Sequence, residues 1–309
     1  MPKVTVVSPC YNEEGNVGEL FQRVEAAFAS LPGYEFDYIF IDNASRDRTV
    51  EILKGMAKND RRVKIIVNTR NFGHIRSPYY GILQGSGDAV IYLASDLQDP
   101  PEMIPGFIRK WEEGYKVVWA VKTQSHETPL MFLTRKLYYE MISKLSEVEL
   151  VKNATGFGLY DKRVIEILRE IDDPYPYARG LISEIGFDIA RIPFTQPRRK
   201  RGITKNNFYT LYDIAMLGIT NHSKVPLRLA TMAGFSLSFL SLLVALGYLA
   251  AKLIFWETFS MGMAPIIIGL FFFASVQLFF IGIIGEYVGS IHTQILRRPL
   301  VVEKERINF

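Results

Sequence analysis

Cys10 is the only cysteine in 309 residues. An intramolecular disulfide is therefore excluded, and a reducing compartment suits the chain. The first apolar strand is followed neither by Gly-x-Gly-x-x-Gly nor by a Gly-rich loop ending in Lys-Ser/Thr. Their absence disfavours a dinucleotide-binding domain and a P-loop NTPase. His74 has no second His or Cys nearby and reads as a loop residue, not a metal ligand. No DNA- or RNA-binding signature accompanies the net charge of +4. Nucleic acid is not expected as a partner; the modest positive balance suits a membrane surface or phosphate ligands. The apolar part of the N-terminus is too short, and lacks the cleavage pattern, expected of a signal peptide.

Charge itself is missing in two places. Leu229 to Ala251 and Thr258 to Gly285 contain no Asp, Glu, Lys or Arg, giving runs of 23 and 28 residues. About 20 apolar residues span a bilayer core of about 30 Å, and both runs exceed the usual globular helix. A two-helix transmembrane hairpin is expected, joined by a short connection whose charges are Lys252 and Glu257.

What is present before the hairpin is strand alternating with helix. Val4–Val7, Tyr38–Ile41, Val63–Val67, Val90–Leu93 and Val117–Val121 read as strands. Val17–Phe28 and Thr49–Ala57 read as helices, with Asp47 as cap of the second. The alternation predicts βαβ units and a mostly parallel sheet, whose ligands bind beyond the carboxyl ends of the strands. There the chain places Ser8-Pro9-Cys10-Tyr11-Asn12-Glu13, then Asp42-Asn43, then Ser95-Asp96-Leu97-Gln98-Asp99-Pro100-Pro101. The first turn suits a flat base and a ribose better than a pyrophosphate cradle. If the segment after Ala94 is extended, Asp96 and Gln98 aim two hard oxygens at one point, a donor pair suited to Mg²⁺ or Mn²⁺.

These motifs, in this order and with Asn71-Phe72-Gly73, Thr155-Gly156-Phe157 and Arg201-Gly202-x-x-Lys205, resemble the family 2 glycosyltransferases. Among them the chain is similar to the polyprenyl-phosphate glycosyltransferases, along nearly its whole length. The resemblance implies a GT-A fold, an inverting mechanism and a nucleotide-diphosphate sugar as donor. By motif position Pro9, Tyr11, Asn12, Glu13, Asp42 and Ser95 would contact the donor nucleotide, and Asp96 and Gln98 the metal. Arg201 and Lys205 match positions that meet the donor diphosphate or acceptor phosphate, work that suits arginine forks and lysine point charges. Two departures stand out. Many members of the family carry an acid two residues before the metal aspartate, where this chain has Ala94, and an acid often assigned as general base that would align near Gly156 and is missing here. A lipid phosphate is already anionic near neutral pH, so that acceptor needs no deprotonation. Asp99 and Asp161 remain as available orienting acids.

Met131–Leu145 forms a broad apolar helical face with Arg135, Lys136 and Lys144 between; Arg135 is a candidate for steering the acceptor phosphate. The basic run Pro197–Lys205 and the amphipathic stretch Asn207–Thr220 lead into the hairpin. Lys224 and Arg228 before it, and Arg297, Arg298, Lys304 and Arg306 after it, place both outer ends in the cytoplasm. Gly234 and neighbouring small residues permit close helix packing, so association of copies is expected. The expected division is a cytoplasmic GT-A domain at 1–205, a juxtamembrane segment at 206–228, a hairpin at 229–289 with spans near 229–251 and 262–285, and a basic cytoplasmic tail at 290–309. Expected partners are a nucleotide-diphosphate sugar (UDP-glucose first, GDP-mannose second), polyprenyl phosphate and the bilayer. Transfer to a glycan hydroxyl and a non-catalytic membrane partner stand as alternatives.

Overall fold

The computed structural model describes residues 1–124, 151, 153–197, 216–221, 223–254 and 263–309. Three βα units open the chain. Strands β1 (Lys3–Cys10), β2 (Glu35–Asp42) and β3 (Val63–Asn68) precede helices α1 (Val17–Ala29), α2 (Thr49–Asn59) and α3 (Gly73–Leu83), and β4 (Ala89–Tyr92) follows. The strands are apolar on both faces because helices cover both. Along β2, Phe36, Tyr38 and Phe40 join the core beneath α1 and α2, while Ile39 and Ile41 join the opposite core with Tyr79 and Ile82 of α3.

Helix α4 (Ile104–Glu112), strands β5 (Val117–Gln124) and β6 (Ala154–Asp161), helices α5 (Lys162–Ile171) and α6 (Ala178–Ile185) and strand β7 (Ile189–Thr195) complete the first two-thirds. Two long helices follow, α7 (Val225–Ile254) and α8 (Met263–Ile295), and then strand β8 (Glu303–Ile307). The eight strands lie in one mixed sheet, ordered β7-β5-β6-β4-β1-β2-β3-β8. Strands β4, β1, β2 and β3 run parallel, so their carboxyl ends share one rim; β6 runs antiparallel to β4 and β5. Gly158 lets β6 pass close to β5, since a Cβ there would lie 2.0 Å from the Val118 carbonyl oxygen.

The last residues of the expected basic tail belong to the sheet. Residues 303–307 pair antiparallel with β3 and complete the sheet edge. Polar groups fix them there: Lys54 pairs with Glu305, the Tyr80 hydroxyl donates to Glu303, and Asn308 Nδ2 donates to the carbonyls of Ala57 and Val63. Val301 is buried at the start of this return.

Helices α7 and α8 contain the two described stretches long and apolar enough to cross a membrane, Val225–Val244 and Phe272–Ile295. Phe235, Leu270 and Phe279 are 74%, 67% and 65% exposed, a surface that water does not tolerate over such lengths. Their lower ends are tied together and to the sheet domain. The Tyr287 hydroxyl donates to the Ser223 carbonyl, Ser290 bonds Asn221, and Gln294 donates to Asp173.

Candidate active site

Three loops meet at the shared rim, after β1, β2 and β4. Each carries a non-glycine residue in the left-handed region: Asn12 at φ 59°, Ala44 at φ 62° and Leu97 at φ 60°. Such residues cost on the order of 1–3 kcal/mol unless their surroundings fix them, and they concentrate where a fold holds a ligand. Here the surroundings are a web of side chains bonded to backbone. Asn12 N–H donates to Ser45 Oγ at 2.9 Å, and Arg46 N–H returns a bond to Asn12 Oδ1 at 2.8 Å. Glu13 N–H donates to Thr49 Oγ1 at 2.8 Å, while Glu13 Oε2 accepts from Asn16. Asp47 accepts from the Thr49 N–H and hydroxyl, which caps α2 from one position earlier than its first flanking residue.

Asp42 closes β2 and is buried. Its Oδ2 accepts the Ser45 N–H at 2.9 Å, but its Oδ1 is buried without a partner. Burial raises its carboxyl above the usual range; hydrogen bonds from Ser45 and Ala44 oppose this, and nearby Asp47 adds to it. An orphaned buried acceptor is costly, and a ring N–H of a base would satisfy it. Pro9 lies in β1 beside Ile41, and Tyr11 is half-buried in the following loop.

Asp96 lies on the other side of β1 from Asp42, because β1 separates β4 from β2. The extended geometry expected for residues 96–98 is not what forms. Strand β4 ends at Tyr92, and Asp96 lies in a turn whose next residue, Leu97, is left-handed. The Gln98 N–H donates to Asp96 Oδ1 at 3.1 Å, an Asx-type turn. Gln98 Nε2 donates to the Pro197 carbonyl at 3.2 Å, tying the segment before the basic run to this loop. The two donors are thus neighbours around a turn and not alternate residues of a strand. One carboxylate and one amide oxygen suit a hard divalent cation completed by water and phosphate. No group of three or more His, Cys, Asp or Glu exists among the described residues that could hold an ion without that help.

Ser95 has a structural task in this arrangement: its hydroxyl donates to the Pro9 carbonyl at 2.8 Å and lies 3.1 Å from Cys10 Sγ. It joins the β4 and β1 loops. Asp99 is buried and accepts the Ala94 N–H at 3.0 Å. Burial, reinforced by Asp96 and opposed by the Ala94 N–H and Lys122, pushes its carboxyl up to about 7. Asp161 is removed from the rim altogether. It sits beside Ala89 at the start of β4, caps α5, and binds Trp111 and Lys116. Antiparallel β6 carries it to the opposite end of the sheet from Asp96, so it cannot orient an acceptor there.

A cleft of about 350 Å³ opens near Tyr92, lined also by His74, Thr155, Gly156, Tyr177 and Arg179. Gly156 has φ +89°, a backbone that an aspartate rarely adopts. Arg135, Arg201 and Lys205 lie outside the described residues. Asn43 has a part that the motif alone did not reveal. Its Oδ1 accepts from the Phe72 N–H and Asn68, and its Nδ2 donates to Asn71 and the Gly73 carbonyl. It locks the β3–α3 loop to the β2 end; its place directly after Asp42 was the only signal.

The family model described as glycosyl transferase family 2 matches residues 5–168, the stretch that carries these loops. The chain belongs to that family, with its GT-A fold, and is a glycosyltransferase. Over 299 residues it is 33% identical to the uncharacterized glycosyltransferase YkcC of Bacillus subtilis, covering 96% of this chain and 92% of that protein. It is 31% identical over 304 residues to the bactoprenol glucosyl transferase of Shigella phage SfII, with 98% of each covered. Among solved structures it is similar to a mannosyltransferase from Pyrobaculum calidifontis in complex with GDP-Man and Mn²⁺, at 16% identity and TM-score 0.48, covering 93% of this chain and 87% of that one.

Proposed function

We propose that the protein transfers a hexose, glucose from UDP-glucose in the first instance, to polyprenyl phosphate at the cytoplasmic face of a membrane. The observation that carries this is the placement of Asp42, buried with one oxygen unpartnered, and Asp96 on either side of the same strand end. Asp42 Oδ1 accepts from a base N–H, and Tyr11 offers a ring face at the neighbouring loop. Pro9, Asn12 and Glu13 shape that pocket through the backbone bonds described above. Asp96 and Gln98 would hold Mg²⁺ or Mn²⁺, which neutralises charge on the departing diphosphate. Arg201 and Lys205 supply further positive charge to phosphate, and Arg135 guides the acceptor.

The acceptor class follows from two features. Helices α7 and α8 anchor the domain at a bilayer, where a lipid nucleophile is presented and the chemistry reduces to positioning and charge neutralisation. Gly156 supplies no base, which an anionic phosphate does not need. Direct displacement by that oxygen inverts the anomeric centre. The name of the Shigella phage relative agrees with a glucosyl donor and a polyprenyl acceptor. Lys224 and Arg228, with Arg297 and Arg298, flank the outer ends of the hairpin and favour the cytoplasmic side.

The test is transfer of label from a panel of nucleotide sugars to undecaprenyl phosphate by purified protein with Mg²⁺ or Mn²⁺. Labelled lipid phosphate from UDP-glucose, lost on chelation, is the expected result. Asp96→Ala should reduce the rate by at least ~10²-fold, the scale of losing a group that stabilises transition-state charge. Label in an oligosaccharide, or full activity in the presence of chelator, would overturn the proposal.

A further inference from the structure

A second group of side chains, outside the donor loops, gathers where the sheet meets the foot of the long helices. Arg70 follows β3, Arg76 lies in the first turn of α3, and Arg298 lies three residues beyond the end of α8. The guanidinium carbons of Arg70 and Arg76 stand 4.1 Å and 5.8 Å from the centroid of the Phe72 ring. Arg76 donates through Nη2 to the Pro299 carbonyl, which ties α3 to the chain leaving α8. Its Nε is buried and has no partner. No carboxylate among the described residues pairs with Arg70, Arg76 or Arg298; Asp173, an acid near the foot of α8, is engaged by Gln294 and the Tyr175 N–H.

Two like charges on one ring, with a third carried by the residue before Pro299 and one buried unpaired N–H among them, are unfavourable unless an anion joins them. Burial, then the charge of Arg70, with Arg298 adding and Tyr175 opposing, holds the Arg76 guanidinium below its usual range. The location limits which anion. Ile75, beside Arg76, packs with Tyr175, Tyr177 and the helical residues Leu217 and Ile219 that lead into α7. The first turn of α3 thus packs beside the helical residues that precede α7 and bonds the chain that leaves α8.

We propose that Arg70, Arg76 and Arg298 form a binding site for a phosphate carried on a membrane lipid. The site rests on α7 and α8 crossing a bilayer, and Asn43 links it to the donor loops by bonding both Asn71 and Gly73. Arginine forks fit phosphate oxygens in this way.

The test uses full-length protein in detergent micelles, titrated with undecaprenyl phosphate, phosphatidylglycerol, undecaprenol and phosphatidylcholine, with binding read by thermal shift and by native mass spectrometry. The wild type should bind undecaprenyl phosphate or phosphatidylglycerol and ignore the two lipids without net negative charge. Arg76→Gln combined with Arg298→Gln should weaken that binding at least tenfold. Arg70→Gln, at an exposed position, should weaken it severalfold while leaving the lipid-free melting temperature unchanged. Preference for undecaprenyl phosphate identifies the sugar acceptor; equal response to phosphatidylglycerol identifies a bulk headgroup; either supports the site. Wild-type affinity in Arg70→Gln and in the double variant would overturn it. Because binding is read without turnover, absence of sugar transfer by the wild type would count against the proposed reaction and leave this result standing.

Discussion

Asp37, at the amino end of β2 and far from the rim, shows how single side chains fix the sheet. Its buried carboxylate meets Lys64 Nζ at 2.6 Å and Lys3 Nζ at 2.9 Å. Burial alone would raise its carboxyl, but hydrogen bonds from Lys64, Lys3 and Thr5 and the charge of Lys64 outweigh burial and hold it below the usual range. A depressed folded-state value contributes stability above the unfolded value of about 3.9 and loses it as pH falls through the folded value. Asp37→Asn should therefore cost about 3 kcal/mol at pH 7, and the gap to wild type should close as the medium is acidified below pH ~4. Thermal melts in detergent at neutral and acidic pH measure this. Cys10 gives a second expectation. It is buried and burial pushes its thiol well up, so it should stay unreactive toward maleimide in the folded protein.

Among the elements, the parallel units were legible because each strand is an unbroken apolar run and each helix has its own period. The antiparallel half was not. Strand β6 appears in the sequence as a motif, and only its pairing with β4 and β5 shows that Asp161 faces away from the site. The sequence did not separate a turn at Asp96 from an extended segment, because leucine at 97 gives no warning of a left-handed backbone, whereas a glycine would have. Strand β8 was hidden by its charges: Glu303, Lys304, Glu305 and Arg306 read as part of a basic tail, and their partners are remote in sequence. Removing residues 301–309 should expose the edge of β3. Hydrogen exchange should then show loss of protection across β3 and lower overall stability, while removal of the same length from a solvated tail would change neither.

At the scale of the molecule, an α/β domain and two bilayer-length helices are held together twice, by the connection into α7 and by the return from α8. The hairpin was plain in the sequence from its absence of charge. That the residues leading into it pack on the first turn of α3 was not, since the contacts join Ile75, Tyr177 and Leu217 from three separate regions. Orientation in the membrane can be read with single cysteines, because Cys10 is shielded. In intact cells an impermeant maleimide should label Glu257→Cys, in the connection between the helices, and should label Lys304→Cys only after the membrane is opened. The reverse pattern would place the sheet on the outer face.

The return of the chain to β3 also sets an order of events during synthesis. Asn308 binds the carbonyl of Ala57 across 251 residues of sequence. The sheet therefore leaves the ribosome with one margin open and stays so until the residues after α8 have been made. Where α7 and α8 enter a bilayer as a hairpin, both outer ends lie on one side of it, and the closing strand emerges beside the margin that waits for it.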